Sequence, residues 1–285
     1  MARYYRLYRL VTMRTTPGHA PSPAWVAVVV AAMTVTACGG NRQPEIPLVT
    51  EGADNLLYER GQEALAEEDW TRAREYFVQI RDNYPQSDLR AAARIGVVET
   101  HEGEGNVTSY IAAMNELREF LRLYPPTHEL APLAQYKLGM VYFNQMRRPE
   151  RDQSETRSAV QEFETFIDQY AGMADEQLLG EVRARLREAR DRLSDSSFHI
   201  GRFYYRLSHY AGAIDRFRQI LDEDPGYTHR DLVYYHLADS LAETERGAEA
   251  LPLFERLVDE FPQTEFLEAA TARIAELKIS MDLER

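Results

Sequence analysis

Four positions recur at fixed offsets along this chain, and the recurrence limits the fold more than any other feature. Ala73, Phe77 and Pro85 stand 12, 16 and 24 residues after Gly61. Ala213, Phe217 and Pro225 stand at the same offsets from Gly201, and Ala250, Phe254 and Pro262 from Ala238. An apolar residue also recurs at offset 19, as Ile80, Ile220 and Leu257. Each position has a mechanical reason if the unit is a pair of antiparallel helices of about 34 residues. Gly or Ala in the first helix and Ala near the start of the second let the two approach closely. Phenylalanine one turn later fills the space between them. Proline ends the second helix, because its ring removes an amide donor and restricts the residue before it. Neighbouring units must hide each other's apolar faces, so the pattern predicts an all-α solenoid. Leucine at Ala73, Ala213 or Ala250 would overpack it.

This pattern resembles the tetratricopeptide repeat, the TPR, and two further copies carry interruptions. In the second, Gly96 opens the pattern, HEGEGN (His101 to Asn106) lengthens the turn, and Ala113, Leu117, Phe120 and Pro125 complete it. In the third, Gly139 opens and Ala159, Phe163 and Phe166 close after a long insertion, Asn144 to Ser158, with Ala171 in place of the proline. Leu178, Leu179, Val182, Leu186 and Leu193 then recur at helical spacing, predicting a long charged helix from about Ala174 toward Tyr205. Leu267, Ala270, Ile274 and Leu277 predict a final capping helix. The expected division is a leader at 1–37, a lipidated terminus and flexible tether at 38–54, repeats one to three at 55–173, and the long helix, repeats four and five and the cap at 174–285.

The first 37 residues carry Arg3, Arg6, Arg9 and Arg14, no acidic residue, and an apolar run from Ala24 to Val35. A basic start followed by an apolar stretch too short to span a bilayer reads as an export signal. Cys38, the only cysteine, follows Val35-Thr36-Ala37. Those four residues resemble the lipobox of bacterial lipoproteins, which implies that Cys38 becomes a lipidated N-terminus; the alternative is an ordinary cleaved signal with an incidental cysteine. Two or more acyl chains give stable anchoring. In such lipoproteins an aspartate after the cysteine favours the inner membrane, and Gly39 stands there, so the expected place is the outer membrane, facing the periplasm. Losing the leader with its four arginines takes the formal charge from −13 to −17. So acidic a chain argues against nucleic acid as a partner.

Nothing in the sequence assembles a catalytic centre, and no enzyme activity or cofactor beyond the lipid at Cys38 is expected. The seven histidines include no H-E-x-x-H pair. Gly103 and Gly105 imitate a phosphate loop, but no strand precedes them and their neighbours are acidic. His229 reads as a loop residue and His236 as a packed or surface residue rather than as ligands.

Binding is the expected activity, because first helices of successive TPRs line a concave groove. There repeat one offers Tyr58 and Gln62, and repeat three offers Tyr136, Met140, Phe143 and Asn144, a set suited to an extended or aromatic-ended peptide. Equally, Tyr136 and Phe143 could pack against the insertion or the long helix.

Two stretches go beyond the repeat pattern. Arg151, Asp152, Gln153, Ser154 and Thr156, followed by Ala159 and Phe163, resemble the R-D-Q-[ST]-x-T run and A-x-x-x-F helix of the BamD family, lipoproteins of the outer-membrane β-barrel assembly machinery. His199 to Gly226 resembles that family's fourth repeat, with Ile200-Gly201 departing from its Val-Ala. The resemblance implies a non-enzymatic scaffold that binds the BamA-type β-barrel insertase through its C-terminal repeats. Its N-terminal repeats would help receive unfolded outer-membrane proteins, and other assembly lipoproteins are possible partners. The family's insertase-contacting arginine falls on Arg216, whose plain alternative is a surface arginine paired with Asp215 or Asp222. Arg151 and Asp152 are expected to brace the insertion. A competing reading is a periplasmic TPR adaptor that coordinates peptidoglycan or envelope synthesis.

Overall fold

A computed structural model describes residues 52–283, all within one compact unit; residues 1–51, with the leader, Cys38 and most of the expected tether, lie outside the described residues, and α1 begins at Ala53, two residues before the expected end of the tether. Those residues form helices and turns only. Five helical pairs follow one another: α1 (Ala53–Ala66) with α2 (Trp70–Asn83), α3 (Arg90–Glu104) with α4 (Val107–Leu123), α5 (Ala131–Phe143) with α6 (Ser154–Tyr170), α7 (Glu176–Arg206) with α8 (Tyr210–Glu223), and α9 (Arg230–Ala242) with α10 (Gly247–Glu260). A last helix, α11 (Leu267–Leu283), packs on α10. Each helix packs on the next in sequence, as stacked repeats require.

The recurring residues form the interior. Ala73, Ala113, Ala159, Ala213 and Ala250 are fully buried, and so are Phe77, Leu117, Phe163, Phe217 and Phe254 one turn later. The glycines show why they must be small: a Cβ on Gly61, Gly139 or Gly201 would lie 2.5–2.6 Å from the ring of Phe77, Phe163 or Phe217. On α11, Ala270 is buried, and Ile274 and Leu277 pack on the repeat-five core, leaving that core covered.

Turns inside the repeats share a device that the pattern did not reveal. Glu68, Ser208 and Glu245 each stand seven residues after the glycine or alanine position and hold φ of 57–60°. In each case the next amide reaches back five residues to close the first helix: Asp69 to the Ala64 carbonyl, His209 to Tyr204 and Arg246 to Leu241, at 2.9–3.0 Å. That is a left-handed helix stop built without glycine.

Repeat two differs from expectation in two ways. HEGEGN is not a loop through its length: α3 continues to Glu104, and only Gly105 (φ 61°) and Asn106 make the turn, Asn106 capping α4 through the Ser109 amide. Packing and charge hold the extra turn. Trp70 lies flat against Gly103, Arg74 pairs with Glu104 at 2.5 Å, and Lys137 pairs with Glu102 at 2.8 Å. Gly96, moreover, does not serve its own repeat. A Cβ there would lie 2.7 Å from Phe77, the ring already seated on Gly61, so Gly96 receives the preceding repeat. Ile95 and Val98 instead pack with Leu117 and Phe120 of α4.

The long helix α7 belongs to two repeats. Val182 and Leu186 in its first half pack with Phe163 and Phe166 of α6, whereas Phe198 in its second half packs with Phe217 of α8.

Candidate interaction site

Arg216 projects from α8 and is exposed. Its Nη1 donates to Gln219 Oε1 at 2.9 Å, and Gln219 Nε2 donates to Glu223 Oε1 at 2.7 Å, a ladder along one face of the helix. Among the described residues no carboxylate lies within ion-pair distance of it, so it is not engaged by Asp215 or Asp222. Its neighbour Arg218 is different, pairing with Glu249 of α10 at 2.7 Å. One turn before Arg216, Gly212 faces the ring of Tyr204, which lies 3.5 Å from where a Cβ would stand. Arg216 therefore continues a surface that begins on α7.

The R-D-Q-S segment folds as a brace, but the brace is Gln153. Its side chain is 5 % exposed; Nε2 donates to the Arg148 and Arg151 carbonyls at 2.8 and 3.0 Å, and Oε1 accepts from Thr156 Oγ1 at 2.7 Å. One buried amide thus closes the insertion onto the first turn of α6. Asp152 accepts from the Ser154 amide and hydroxyl at 3.2 and 3.1 Å, which together hold its carboxyl below the usual range, the hydroxyl contributing most. Arg151 contributes only backbone groups, its amide donating to the Arg148 carbonyl at 2.9 Å and its carbonyl accepting from Gln153, and its side chain is exposed. Arg192 of α7 adds a tie to the Arg147 carbonyl at 3.0 Å.

The proposed groove residues fall into two separate clusters. Tyr58 packs 5.7 Å from Phe77 in repeat one, and Gln62 is half-buried on the same helix. Tyr136, Met140 and Phe143 share the repeat-three cluster with α6 and α7. Both rings rest on Phe163, at 6.3 and 6.2 Å; the Tyr136 hydroxyl reaches Glu181 at 3.4 Å, and the Arg185 guanidinium covers Phe143 at 5.2 Å. Burial, then Glu181, raises the Tyr136 hydroxyl pKa. Asn144 is exposed at the helix end.

His236 is a packed residue. Its ring lies among Phe198, Tyr205, Phe217, Tyr235 and Phe266 at 5.0–5.8 Å. Its Nδ1 is 2.8 Å from the Leu232 carbonyl, and because a carbonyl only accepts, Nδ1 carries the proton. His229 sits edge-on to Tyr227. Among the described residues no group of three or more His, Cys, Asp or Glu side chains is placed to hold a metal, and no helix is long and apolar enough to cross a membrane.

Sequence reasoning passed over the end of α7. Ile200, Phe203 and Leu207 there are 43, 52 and 52 % exposed, and Tyr204 is 36 % exposed. Separations of three and four residues mark one helix face, but the pattern alone does not say that nothing covers it.

Comparison with known proteins adds a family. The chain matches YfiO, described as an outer membrane lipoprotein, over residues 50–238, and a tetratricopeptide-repeat family over residues 232–264. It is 24 % identical to the outer membrane protein assembly factor BamD of Caulobacter vibrioides over 215 residues, which cover 75 % of this chain and 68 % of the relative. It is 21 % identical to the BamD of Neisseria gonorrhoeae over 249 residues, 83 % and 90 % of the two chains. Among solved structures, the TPR2AB domain of yeast Sti1 is similar at a TM-score of 0.44 and 12 % identity, covering 80 % of this chain and 84 % of that one, too loose a likeness to add to what the helices show.

Proposed function

The chain belongs to the YfiO family of outer membrane lipoproteins, and from that premise we propose that it is a non-enzymatic scaffold of the β-barrel assembly machinery. It is held at the outer membrane by lipid on Cys38, faces the periplasm, and helps outer-membrane proteins to fold and insert. The observation that carries this reading is the family match over residues 50–238, which takes in the R-D-Q-S brace and Arg216. Its partner is a BamA-type insertase, met by Arg216. In support, that arginine is exposed, bonded only to an amide among the described residues, and continuous with the apolar end of α7. Its guanidinium is open to a carboxylate, whose charge-assisted bonds are the stronger kind.

Two arms follow from the position of α7. Repeats one to three, at 55–173, offer Tyr58, Gln62 and Asn144 toward unfolded substrate. Tyr136, Met140 and Phe143 serve more as the seat of α7 than as an open pocket, since they are half-buried beneath it. The long helix and the later repeats, at 174–285, face the insertase.

Depletion of the protein in its native cell tests the role. The folded, heat-modifiable fraction of outer-membrane β-barrel proteins falls if the reading is right. An unchanged fraction together with altered cell-wall crosslinking would favour an envelope-synthesis adaptor instead.

A further inference from the structure

The exposed position two residues before each repeat's proline is polar except once. It is Asn83 in repeat one, Glu223 in repeat four and Glu260 in repeat five, but Leu123 in repeat two. Leu123 ends α4 and is 44 % exposed. It lines a cavity of about 340 Å³ between the turns that follow α2 and α4, together with Ser87, Asp88, Arg90, Tyr124 and His128. Tyr124 and His128 make one stiff wall, their rings 4.8 Å apart and lying 4.5 and 5.6 Å from Phe120. Arg90 is held at the rim by its Nε, which donates to the Arg81 carbonyl at 2.9 Å. Its guanidinium has no ion pair among the described residues.

The start of α1 lies at the edge of this cavity. Ser87, one of the lining residues, donates through Oγ to Asp54 Oδ2 at 2.5 Å, and Asp54 is the second residue of α1. Gly52, the cap of α1, holds φ 82°, a left-handed conformation that suits glycine and breaks the line of the helix. Before Gly52 stand residues 39–51, whose one apolar run is Ile46-Pro47-Leu48-Val49, with Glu45 beside it. Proline favours extended backbone in the residue before it, and four to six extended residues span about 13 to 21 Å. That exceeds the helix-to-helix spacing of about 10 Å, so the run reaches the cavity from Gly52. A segment joined so close to its site acts at millimolar effective concentration, ahead of any free partner.

We propose that Ile46 to Val49 of this same chain fold back into the cavity, Leu48 packing on Leu123 and Tyr124 while Glu45 meets Arg90. The docking goes beyond the assembly role and does not depend on it. What it sets is reach. The span free to extend between Cys38 and the fold drops from about 45 Å to about 25 Å. With lipid on Cys38, repeats one and two are thereby held close to the membrane rather than swinging on the full tether.

The test replaces Leu123 by photocrosslinking p-benzoylphenylalanine in the full-length protein in its native envelope, with the same group at Met173, 46 % exposed in the turn after α6, as control. Crosslinked peptides are identified by mass spectrometry from the band of monomer mass. The expected result is a bond from position 123 to residues 45–50 of the same chain, absent from position 173, with its yield lowered roughly tenfold by Leu48→Asp. A second measurement keeps Leu123 in place and follows cleavage of the purified full-length protein after Glu45 and Glu51 by a glutamyl endopeptidase. Leu123→Asp should speed that cleavage roughly tenfold, because cleavage tracks the undocked population, with the melting temperature held within about 2 °C. Crosslinks from position 123 only to lipid, to another protein or to a second copy, none above control, or equal cleavage of the two proteins would overturn the docking. Acylation of the N-terminal peptide and co-purification of the insertase are read separately, so the docking, the anchor and the assembly role stand or fall apart from one another.

Discussion

Phe77 is pressed by Gly61 from one side and Gly96 from the other, so its ring has no free direction in which to retreat. Gly61→Ala and Gly96→Ala should therefore each destabilise the N-terminal repeats by about 1 to 3 kcal/mol, measured by urea denaturation. Glycine at either position is legible in the sequence. Which ring each glycine serves is not, because a missing side chain leaves no sign of its neighbour, and Gly96, in register with repeat two, lies against Phe77 of repeat one. The left-handed stops at Glu68, Ser208 and Glu245 were likewise invisible, since none is the glycine that such a turn prefers. Ser208→Gly and Glu245→Gly should each raise stability by about 1 kcal/mol by relieving that conformation, and a loss of stability would show that their side chains hold contacts of their own.

At the scale of elements, the insertion before α6 is held by an amide rather than by a charge. Gln153→Ala should cost about 1 to 3 kcal/mol, since it leaves the buried Thr156 hydroxyl without its acceptor and takes the amide donor from the Arg148 and Arg151 carbonyls. Arg151→Ala should leave thermal stability unchanged. The family-like run was readable as a motif, but not which member carries the brace, because that depends on which side chain turns inward. In repeat two the added turn of α3 ties to α2 through Glu104. The Arg74 hydrogen bond, then that of Ser109, lowers its carboxyl from 4.5 to about 2. The folded value lies below the unfolded one, so the stabilisation is complete above pH 4.5 and is lost as pH falls from there toward about 2. Urea midpoints across that window should fall more steeply for the native protein than for Glu104→Gln. A histidine among rings acts in the same direction at higher pH. Burial lowers the His236 pKa below 6.5, so repeats four and five lose stability as pH drops beneath that value.

Across the whole molecule, the spacing of Gly, Ala, Phe and Pro was enough to read an all-helical repeat protein and its closing helix. Contacts between repeats were harder to read, because periodicity reports which face of a helix is apolar and not what lies against it. The same limit explains α7. Its length was legible, but its sharing between two repeats, and the open stripe that the sharing leaves, depend on α6 covering one half only. Tyr136 and Phe143 show it again, as aromatic residues in groove register that the structure seats on Phe163 beneath Arg185. Function follows from the family and from the surfaces this arrangement leaves free. The most direct measurement is affinity purification of the full-length, C-terminally tagged protein from mild-detergent extracts of its native envelope, with mass spectrometry of what it retains. A β-barrel insertase in near-stoichiometric amount, reduced by Arg216→Glu, is the predicted result. Recovery of cell-wall enzymes or inner-membrane proteins in its place would contradict the assembly role.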